Sequence, residues 1–188
     1  IVMKSYKYTI LDETYDFCIY SQRRYAKKLG IPWGISESAF NLQDLNLNYQ
    51  YKAFGIPWLG LKRGLKDEVV VAPYSSFLAL SKSPKELLRN AEELKKLGAF
   101  DKYGFYDSID FTPSRMYENK GAVVKTYMAH HEALILLSIN NYLNDEVLQK
   151  RFGENTEIKC ADLLLQERVP ANIIFTKKKK EKVKIMKY

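Results

Sequence analysis

The sequence has no apolar run of about eighteen residues, so it offers no obvious membrane-spanning helix. It has only two cysteines, Cys18 and Cys160, in helix-like segments without metal-ligand spacing. We expect two reduced core thiols, which are typical of a cytoplasmic protein, and no disulfide framework. The chain also lacks a P-loop, a dinucleotide-binding fingerprint and a nucleophile elbow, and no cofactor is expected. Since it opens on Ile1 rather than methionine, a missing signal peptide says little about targeting.

The net charge of +8 at first suggests a nucleic-acid-binding protein, but most of it is concentrated at one end. Residues 176–188 contain seven lysines and one glutamate, and the remaining chain has 23 basic and 21 acidic residues. The sequence therefore predicts one nearly neutral folded domain over 1–175 and a disordered, solvated tail over 176–188. No nucleic-acid partner is expected.

Apolar residues recur at helical spacing through most of the chain. They predict helices over 9–29, 73–80, 84–97, 121–143, 145–152 and 156–168. Gly30 and Gly98 end two of these helices, and SPKE at 83–86 reads as a capping box. Residues 68–72 fit either a short strand or the approach to a helix. The pattern predicts an all-α fold with almost no strand and with unusually long loops, which in compact domains are usually functional.

The two longest loops, 30–67 and 99–120, combine aromatic rings with carboxylates and amides. Aromatic faces stack on apolar ligand surfaces while carboxylates and amides bind hydroxyl groups, and a pyranose ring presents both kinds of surface. Aromatic residues in loops are also common as simple packing, so this composition favours carbohydrate only moderately. The candidate substrate-binding residues in these loops are Trp33, Asn41, Asp44, Tyr51, Trp58, Tyr103, Tyr106 and Asp110.

Glycosidic-bond chemistry needs two carboxyl groups across the scissile bond, one of them kept protonated by its environment. Glu37 lies among apolar residues in IPWGISESAF (31–40) and is the first candidate for the acid. Asp107 is the first candidate for its partner, with Asp44 and Asp110 in reserve. The structural alternative for Glu37 is support of a helix start next to a capping serine.

His130 and His131 are the chain's two histidines and are adjacent in sequence. On a helix they would point about 100° apart, so they are not expected to face one metal ion as an i, i+4 pair would. We therefore expect no metal site. Either ring could hydrogen-bond a substrate or serve as a satisfied core histidine.

Six motifs in order resemble the glucoamylase-like domain of cyclic β-1,2-glucan synthases, a relative of β-1,2-glucan hydrolases. They are WGISESAFN (33–41), YQYKAFGIPWLGLKRGL (49–65), VVAPYSSFLAL (70–80), YGFYDSIDFTPSR (103–115), VVKTYMAHHE (123–132) and LLLQERVP (163–170). The resemblance covers nearly all of residues 1–172. It implies an (α/α)6 toroid with the active site in loops at one end. It also implies that the domain forms part of a large, membrane-associated synthase.

The activity that the resemblance implies is cleavage and re-formation of β-1,2-glucosidic bonds, either ring-closing transglycosylation or hydrolysis. Glu37 in WGISE and Asp107 in YGFYD match the family's acidic positions, although the second motif usually ends in glutamate. Aspartate is shorter by about 1.5 Å, and a displacement of that size in a catalytic group can be costly.

Six helix pairs need roughly 350 residues, taking about 12 helices of average length plus large loops. The chain therefore looks like the C-terminal part of a larger toroid. A non-catalytic glucan-binding or structural fragment is the alternative to an enzyme. Apolar helix faces left open by missing helices would favour a homo-oligomer or association with another chain.

Overall fold

The computed structural model describes residues 1–116 and 120–168, so the predicted tail at 176–188 lies outside the described residues. Its α-helices are α1 (Ile10–Leu29), α2 (Pro73–Phe77), α3 (Pro84–Lys96), α4 (Ala129–Leu143), α5 (Val147–Gly153) and α6 (Thr156–Asp162). Short 3-10 turns follow at Pro113–Arg115 and Leu163–Gln166. Within this part of the chain, no helix has the length and apolar character needed to cross a bilayer.

The prediction of almost no strand is wrong, because three small antiparallel sheets accompany the helices. Their strands are β1 (Ser38–Gln43), β2 (Tyr49–Lys52), β3 (Val70–Val71), β4 (Phe100–Asp101), β5 (Gly104–Phe105), β6 (Ser108–Asp110) and β7 (Ala122–Val124). β1 pairs with β2, β4 pairs with β5, and β6 lies between β3 and β7. Strands of two to six residues are too short to produce a clear alternation of apolar and polar residues, so they escape a reading based on periodicity.

The first helix agrees with its prediction. The Thr9 side chain accepts a hydrogen bond from the Asp12 amide, and Gly30 ends the helix in the left-handed conformation with φ of 69°. Ile19, Tyr25 and Ala26 are buried along one face, which fixes α1 against the rest of the domain.

The helix predicted at 84–97 is confirmed as α3, with two differences in detail. Ser83 occupies the N-cap position but its side chain makes no capping hydrogen bond. Leu87 and Leu94 are buried, whereas Leu88 is 65% exposed. The buried stripe is therefore narrower than the row of leucines in the sequence.

The long helix predicted at 121–143 begins only at Ala129. Residues 122–124 form β7 instead, in which Val123 lies opposite Ile109 and Ala122 opposite Asp110. Two β-branched valines beside a buried partner strand gain more from cross-strand packing than from extending a helix. This strand and the loop after it bring the start of α4 to the beginning of β6, where the candidate site lies.

The main hydrophobic core surrounds the three-stranded sheet of β3, β6 and β7, in which Val70, Val71 and Ile109 are fully buried. A second, smaller cluster contains Trp33, Ile19 and Leu87. Cys18 is half-buried and Cys160 is exposed, so the expectation of two core thiols holds at most for Cys18.

Candidate active site

The segment that carries Glu37 is held from behind by two amide side chains. Asn90 on α3 accepts a hydrogen bond from the Trp33 amide (2.9 Å) and donates one to the Trp33 carbonyl (2.8 Å). Gln22 on α1 does the same for Ile35, donating to its carbonyl (2.8 Å) and accepting from its amide (3.1 Å). Two clamps of this kind fix the backbone just before Glu37 without a long strand pairing.

Gly34 lies between the two clamped residues and has to be glycine. Its φ is 125°, and an added Cβ would lie 2.8 Å from Ser75 Oγ and 3.1 Å from the Ala72 carbonyl oxygen. The Ala72 amide donates to the Gly34 carbonyl (2.9 Å). The segment therefore lies directly on the start of α2.

Asp107 precedes β6, and its side chain is fully inaccessible. One carboxylate oxygen, Oδ2, accepts a hydrogen bond from the Ala39 amide at 2.6 Å. The other, Oδ1, lies 2.6 Å from Nδ1 of His131. An ionised carboxylate can only accept a hydrogen bond, so the tautomer that suits this contact carries its hydrogen on Nδ1 and leaves Nε2 without one.

The His131 ring is packed on both sides as well as hydrogen-bonded. Tyr74 of α2 stacks on it with ring centroids 3.8 Å apart and planes 14° apart. The Tyr51 hydroxyl of β2 lies 3.4 Å from Nε2, a long contact. Tyr74 itself is held by a 2.9 Å hydrogen bond between its hydroxyl and Ser36 Oγ. These contacts restrict the ring to one orientation.

Glu37, His130 and His131 come together at the surface end of this arrangement. One carboxylate oxygen and one nitrogen from each ring all lie within 4.8 Å of one another, although Glu37 and His130 are exposed and His131 is buried. Adjacent positions on a helix therefore do not keep these two rings far apart. The 100° separation describes Cα–Cβ directions, whereas the two ring centroids lie 5.2 Å apart. Below, the acid–histidine cluster means Glu37, Asp107, His130 and His131.

Burial and negative charge also act on the hydroxyls and carboxyls around this cluster. Burial, followed by the charges of Glu37, Tyr74 and Asp107, raises the pKa of Tyr51 to about 12. Burial raises the pKa of Tyr74 as well. Burial and, to a smaller extent, the charge of Asp107 raise the pKa of Glu132. Both tyrosines therefore remain neutral hydrogen-bond donors at physiological pH.

Two of the predicted site residues belong to a separate ion-pair network. Asp110 is fully buried and accepts from Arg115 Nε at 2.6 Å and from the Asn41 amide at 3.0 Å. The Asn41 side chain donates to the Arg115 carbonyl (2.7 Å), and Glu68 pairs with the Arg115 guanidinium (2.7 Å). These contacts leave Asp110 inaccessible to a ligand, so the structure gives it a structural role.

The two predicted tryptophans lie in different surroundings. Trp33 is only 8% exposed and packs in the smaller core cluster. Trp58 is 45% exposed, with its ring edge-on to Tyr25 at 5.4 Å. Of the two indole rings, Trp58 is the one that could stack on a ligand.

The other predicted binding residues lie on loops and turns. Asp44 is exposed in the β1–β2 turn and accepts from the amides of Asn46 (2.8 Å) and Asn48 (3.0 Å). Tyr103 is 70% exposed and packs edge-on against Tyr127. Tyr106 donates to Asp101 at 2.8 Å, which raises the pKa of its hydroxyl. The hydrogen bonds of Asp44 explain it as a turn residue without reference to a ligand.

Tyr74, Gln22 and Asn90 were not expected from the sequence. Tyr74 lies in one of the six motifs, in a segment that reads as a simple helix start. Gln22 appears in the apolar stripe of α1 and Asn90 lies on α3 among charged residues. A polar side chain on a face that is otherwise buried is the one signal that could have identified the two amides.

Two concavities lie elsewhere on the molecule. A groove of about 1070 Å³ runs between α1 and α3 and includes Arg23, Arg89 and Trp33. A smaller cavity of about 420 Å³ lies between the N-terminal segment and α5 and α6. Neither concavity is lined by a residue of the acid–histidine cluster. The cluster is the candidate active site because of its chemical groups, and not because of the size of a cavity.

Comparison with known proteins identifies a family. A family model described as "Putative glucoamylase" matches residues 4–156. The cyclic beta-(1,2)-glucan synthase NdvB of Rhizobium meliloti is 42% identical over 182 residues. That alignment covers 96% of this chain but 6% of the synthase, so the chain spans a small part of its relative's length.

Solved structures show a weaker likeness. A beta-1,2-glucanase from Parabacteroides distasonis has a TM-score of 0.49 at 20% identity, covering 81% of this chain and 19% of that one. An endo-beta-1,2-glucanase from Chitinophaga pinensis, in complex with sophorotriose and glucose, has a TM-score of 0.44 at 22% identity. The second match covers 81% of this chain and 32% of the glucanase.

Proposed function

The chain belongs to the glucoamylase-like family whose model matches most of its length, and from this premise we propose that it acts on β-1,2-glucan. The proposed reaction is transglycosylation or hydrolysis of β-glucosidic bonds. The 42% identity to a cyclic β-1,2-glucan synthase supports this substrate class. Within a complete protein of that kind, the domain would form part of an (α/α)6 toroid in a membrane-associated synthase.

The observation that carries the proposal is the position of Glu37. Two amide clamps fix the backbone just before it, and its exposed carboxyl lies within 4.8 Å of two histidine nitrogens. A carboxyl group that is exposed at the end of a fixed stretch of backbone, beside two imidazole rings, suits proton transfer to a bound sugar. Glu37 is therefore the proposed general acid, which protonates the leaving glycosidic oxygen as the bond to the anomeric carbon breaks.

Asp107 acts through His131 in this proposal. Both of its oxygens are engaged and its side chain is inaccessible, so its role is to hold the ring with Nε2 directed away from Asp107. The incoming oxygen, from water in hydrolysis or from a sugar hydroxyl in transglycosylation, forms the new bond to the anomeric carbon. Its proton passes to Nε2 of His131, and Asp107 stabilises the imidazolium that forms.

Exposed rings near the loops supply the proposed sugar subsites. Tyr51, Trp58 and Tyr103 are all at least 42% exposed and can stack on pyranose faces. His130, which is exposed beside Glu37, is the proposed ligand of a sugar hydroxyl. Trp33 and Asp110 support the fold instead.

The direct test is incubation with linear β-1,2-glucan, followed by mass spectrometry of chain lengths and rings. We expect Glu37→Gln to lower turnover by roughly 10²–10⁴-fold, the usual contribution of a general acid. Glu13→Gln is a matched control, since Glu13 is an exposed residue in the first turn of α1. Equal turnover by wild type and Glu37→Gln would remove Glu37 from the mechanism.

A second candidate function is glucan binding without catalysis. It is favoured by the full engagement of Asp107, which leaves no second carboxylate of the predicted pair able to touch the sugar. The Asp107→Glu variant separates the two functions, because the family motif usually has glutamate there. Glucan binding by wild type and by Asp107→Glu, with turnover by neither, would establish the binding role and exclude the enzyme.

A further inference from the structure

We propose that Glu37, His130 and His131 form a binding site for a divalent transition-metal ion, of which Zn²⁺ is the best suited. The donor set is two imidazoles and one carboxylate, a combination used in zinc enzymes with one coordination position left open. The proposal is based on the proximity of the three side chains, and it does not depend on whether the domain cleaves glucan.

The distances are compatible with a small rearrangement on binding. The three donor atoms lie within 4.8 Å of one another. Tetrahedral zinc with bonds of about 2.0–2.2 Å needs donor atoms about 3.3 Å apart. Rotation about the side-chain bonds of Glu37 and His130, both of which are exposed, can close the gap of at most about 1.5 Å.

His131 already has the outer hydrogen bond that metal-binding histidines usually have. Its Nδ1–H donates to Asp107 Oδ1 at 2.6 Å, which leaves the Nε2 lone pair available as the ligand. Asp107 is in turn fixed by the Ala39 amide, and Tyr74 stacks on the ring. The Tyr51 hydroxyl, 3.4 Å from Nε2, would have to move aside. The most buried ligand is thus the most rigid one.

The donor types select among metals. Imidazole nitrogen suits Zn²⁺, Cu²⁺, Ni²⁺ and Co²⁺, whereas Mg²⁺ and Ca²⁺ prefer oxygen ligands. A bound ion would also occupy the Glu37 carboxylate, which could then no longer carry a proton. If the proposed function is correct, metal binding and glucan turnover therefore exclude each other.

The test is a titration of the full chain, without an affinity tag, with Co²⁺ followed by absorption and with Zn²⁺ followed by calorimetry. A Cys160→Ser background removes the exposed thiol as a competing ligand. We expect one ion per chain. Since loss of an outer-shell partner alone costs 10–100-fold in affinity, His130→Ala and Glu37→Gln should each weaken binding by more than about 100-fold. Asp107→Asn should weaken it by about 10–100-fold, and Glu13→Gln should have no effect.

The proposal is overturned if the background protein takes up no ion, or if His130→Ala and Glu37→Gln bind as tightly as it does. Both residues are exposed, so these variants are expected to fold, unlike substitutions of buried His131. Binding is measured without glucan, so a failure here leaves the proposed function untouched. An inactive protein that still binds Co²⁺ would refute only the glucan reaction.

Discussion

Asp107 and Asp110 lie three residues apart around the same strand, and their similarities make their differences informative. Each is buried, and each accepts a hydrogen bond from an amide of β1, from Ala39 and Asn41 respectively. N–H groups two residues apart point to the same edge of a strand, so the two carboxylates dock β1 onto β6 where backbone pairing is missing. The anchoring is the same at both positions.

The partners on the other side differ. Asp110 faces Arg115, which is always charged and is also paired with Glu68. Asp107 faces His131, whose charge can change and whose second nitrogen belongs to the acid–histidine cluster. A buried carboxylate beside a permanent cation stabilises the fold, while one beside a titratable ring can control chemistry.

The largest expected effect is on stability and comes from Asp110→Asn. The change leaves part of the Arg115 charge without its buried partner, and breaking such a pair costs about 3–5 kcal/mol. Urea unfolding should show that loss. Asp67→Asn, an exposed aspartate in the loop before β3, should change the free energy of unfolding by less than about 0.5 kcal/mol. A cost for Asp110→Asn as small as for the control would mean that the network does not hold the fold.

Asp107→Asn should lower stability less than Asp110→Asn does, and should lower glucan turnover more. It keeps one acceptor but removes the charge that holds the Nδ1–H form of His131, so stability should fall by about 1–3 kcal/mol. If the domain turns over glucan, the rate should fall by at least about 100-fold at saturating substrate, because the histidine loses its orienting carboxylate. Unfolding and turnover measured on the same preparations separate the two losses. If the fall in turnover relative to the fall in the free energy of unfolding were the same in Asp107→Asn and Asp110→Asn, the two aspartates would have the same role, and the comparison would be wrong.

This comparison also shows what could be predicted from the sequence. Amphipathic periodicity and end signals located α1 and α3, since a helix of 13 or 20 residues repeats its pattern several times. A three-residue strand such as β6 is too short to repeat a pattern of apolar and polar residues. Its pairing with β7 depends on residues more than ten positions away in the sequence. The start of α4 was misplaced for the same reason.

The site was predicted as a set of residue types but not as an arrangement. The sequence singled out Glu37 and both histidines, and the fold brings them together. It could not show that Asp107 would be enclosed between Ala39 and His131, or that Asp110 would meet Arg115. Both aspartates look alike in sequence, and only long-range contacts assign their partners.

The smallest expected effect concerns Glu132, which is next to His131 on α4. Burial, assisted by the charge of Asp107, raises its pKa in the folded state. The folded protein therefore holds this proton more tightly than the unfolded chain. The contribution to stability is present in full below the ordinary glutamate pKa of about 4.3 and is lost as pH rises through the folded pKa. At pH 7 the half-buried carboxylate is a net cost, so Glu132→Gln, which has nearly the same shape, should be more stable than wild type.

Thermal unfolding of Glu132→Gln at pH 7 and at pH 3.5 measures this linkage, and the gain at pH 7 should largely disappear at pH 3.5. Glu13→Gln is the control of opposite sign, because its charge at the start of α1 favours the helix and its removal should cost about 0.3–1 kcal/mol at pH 7. A gain in Glu132→Gln that is the same at both pH values would point to packing against Gly104, which the Glu132 side chain overlies. Electrostatic coupling between the acid–histidine cluster and its neighbour on α4 would then have no support, and the influence of Asp107 would be confined to its direct hydrogen bonds.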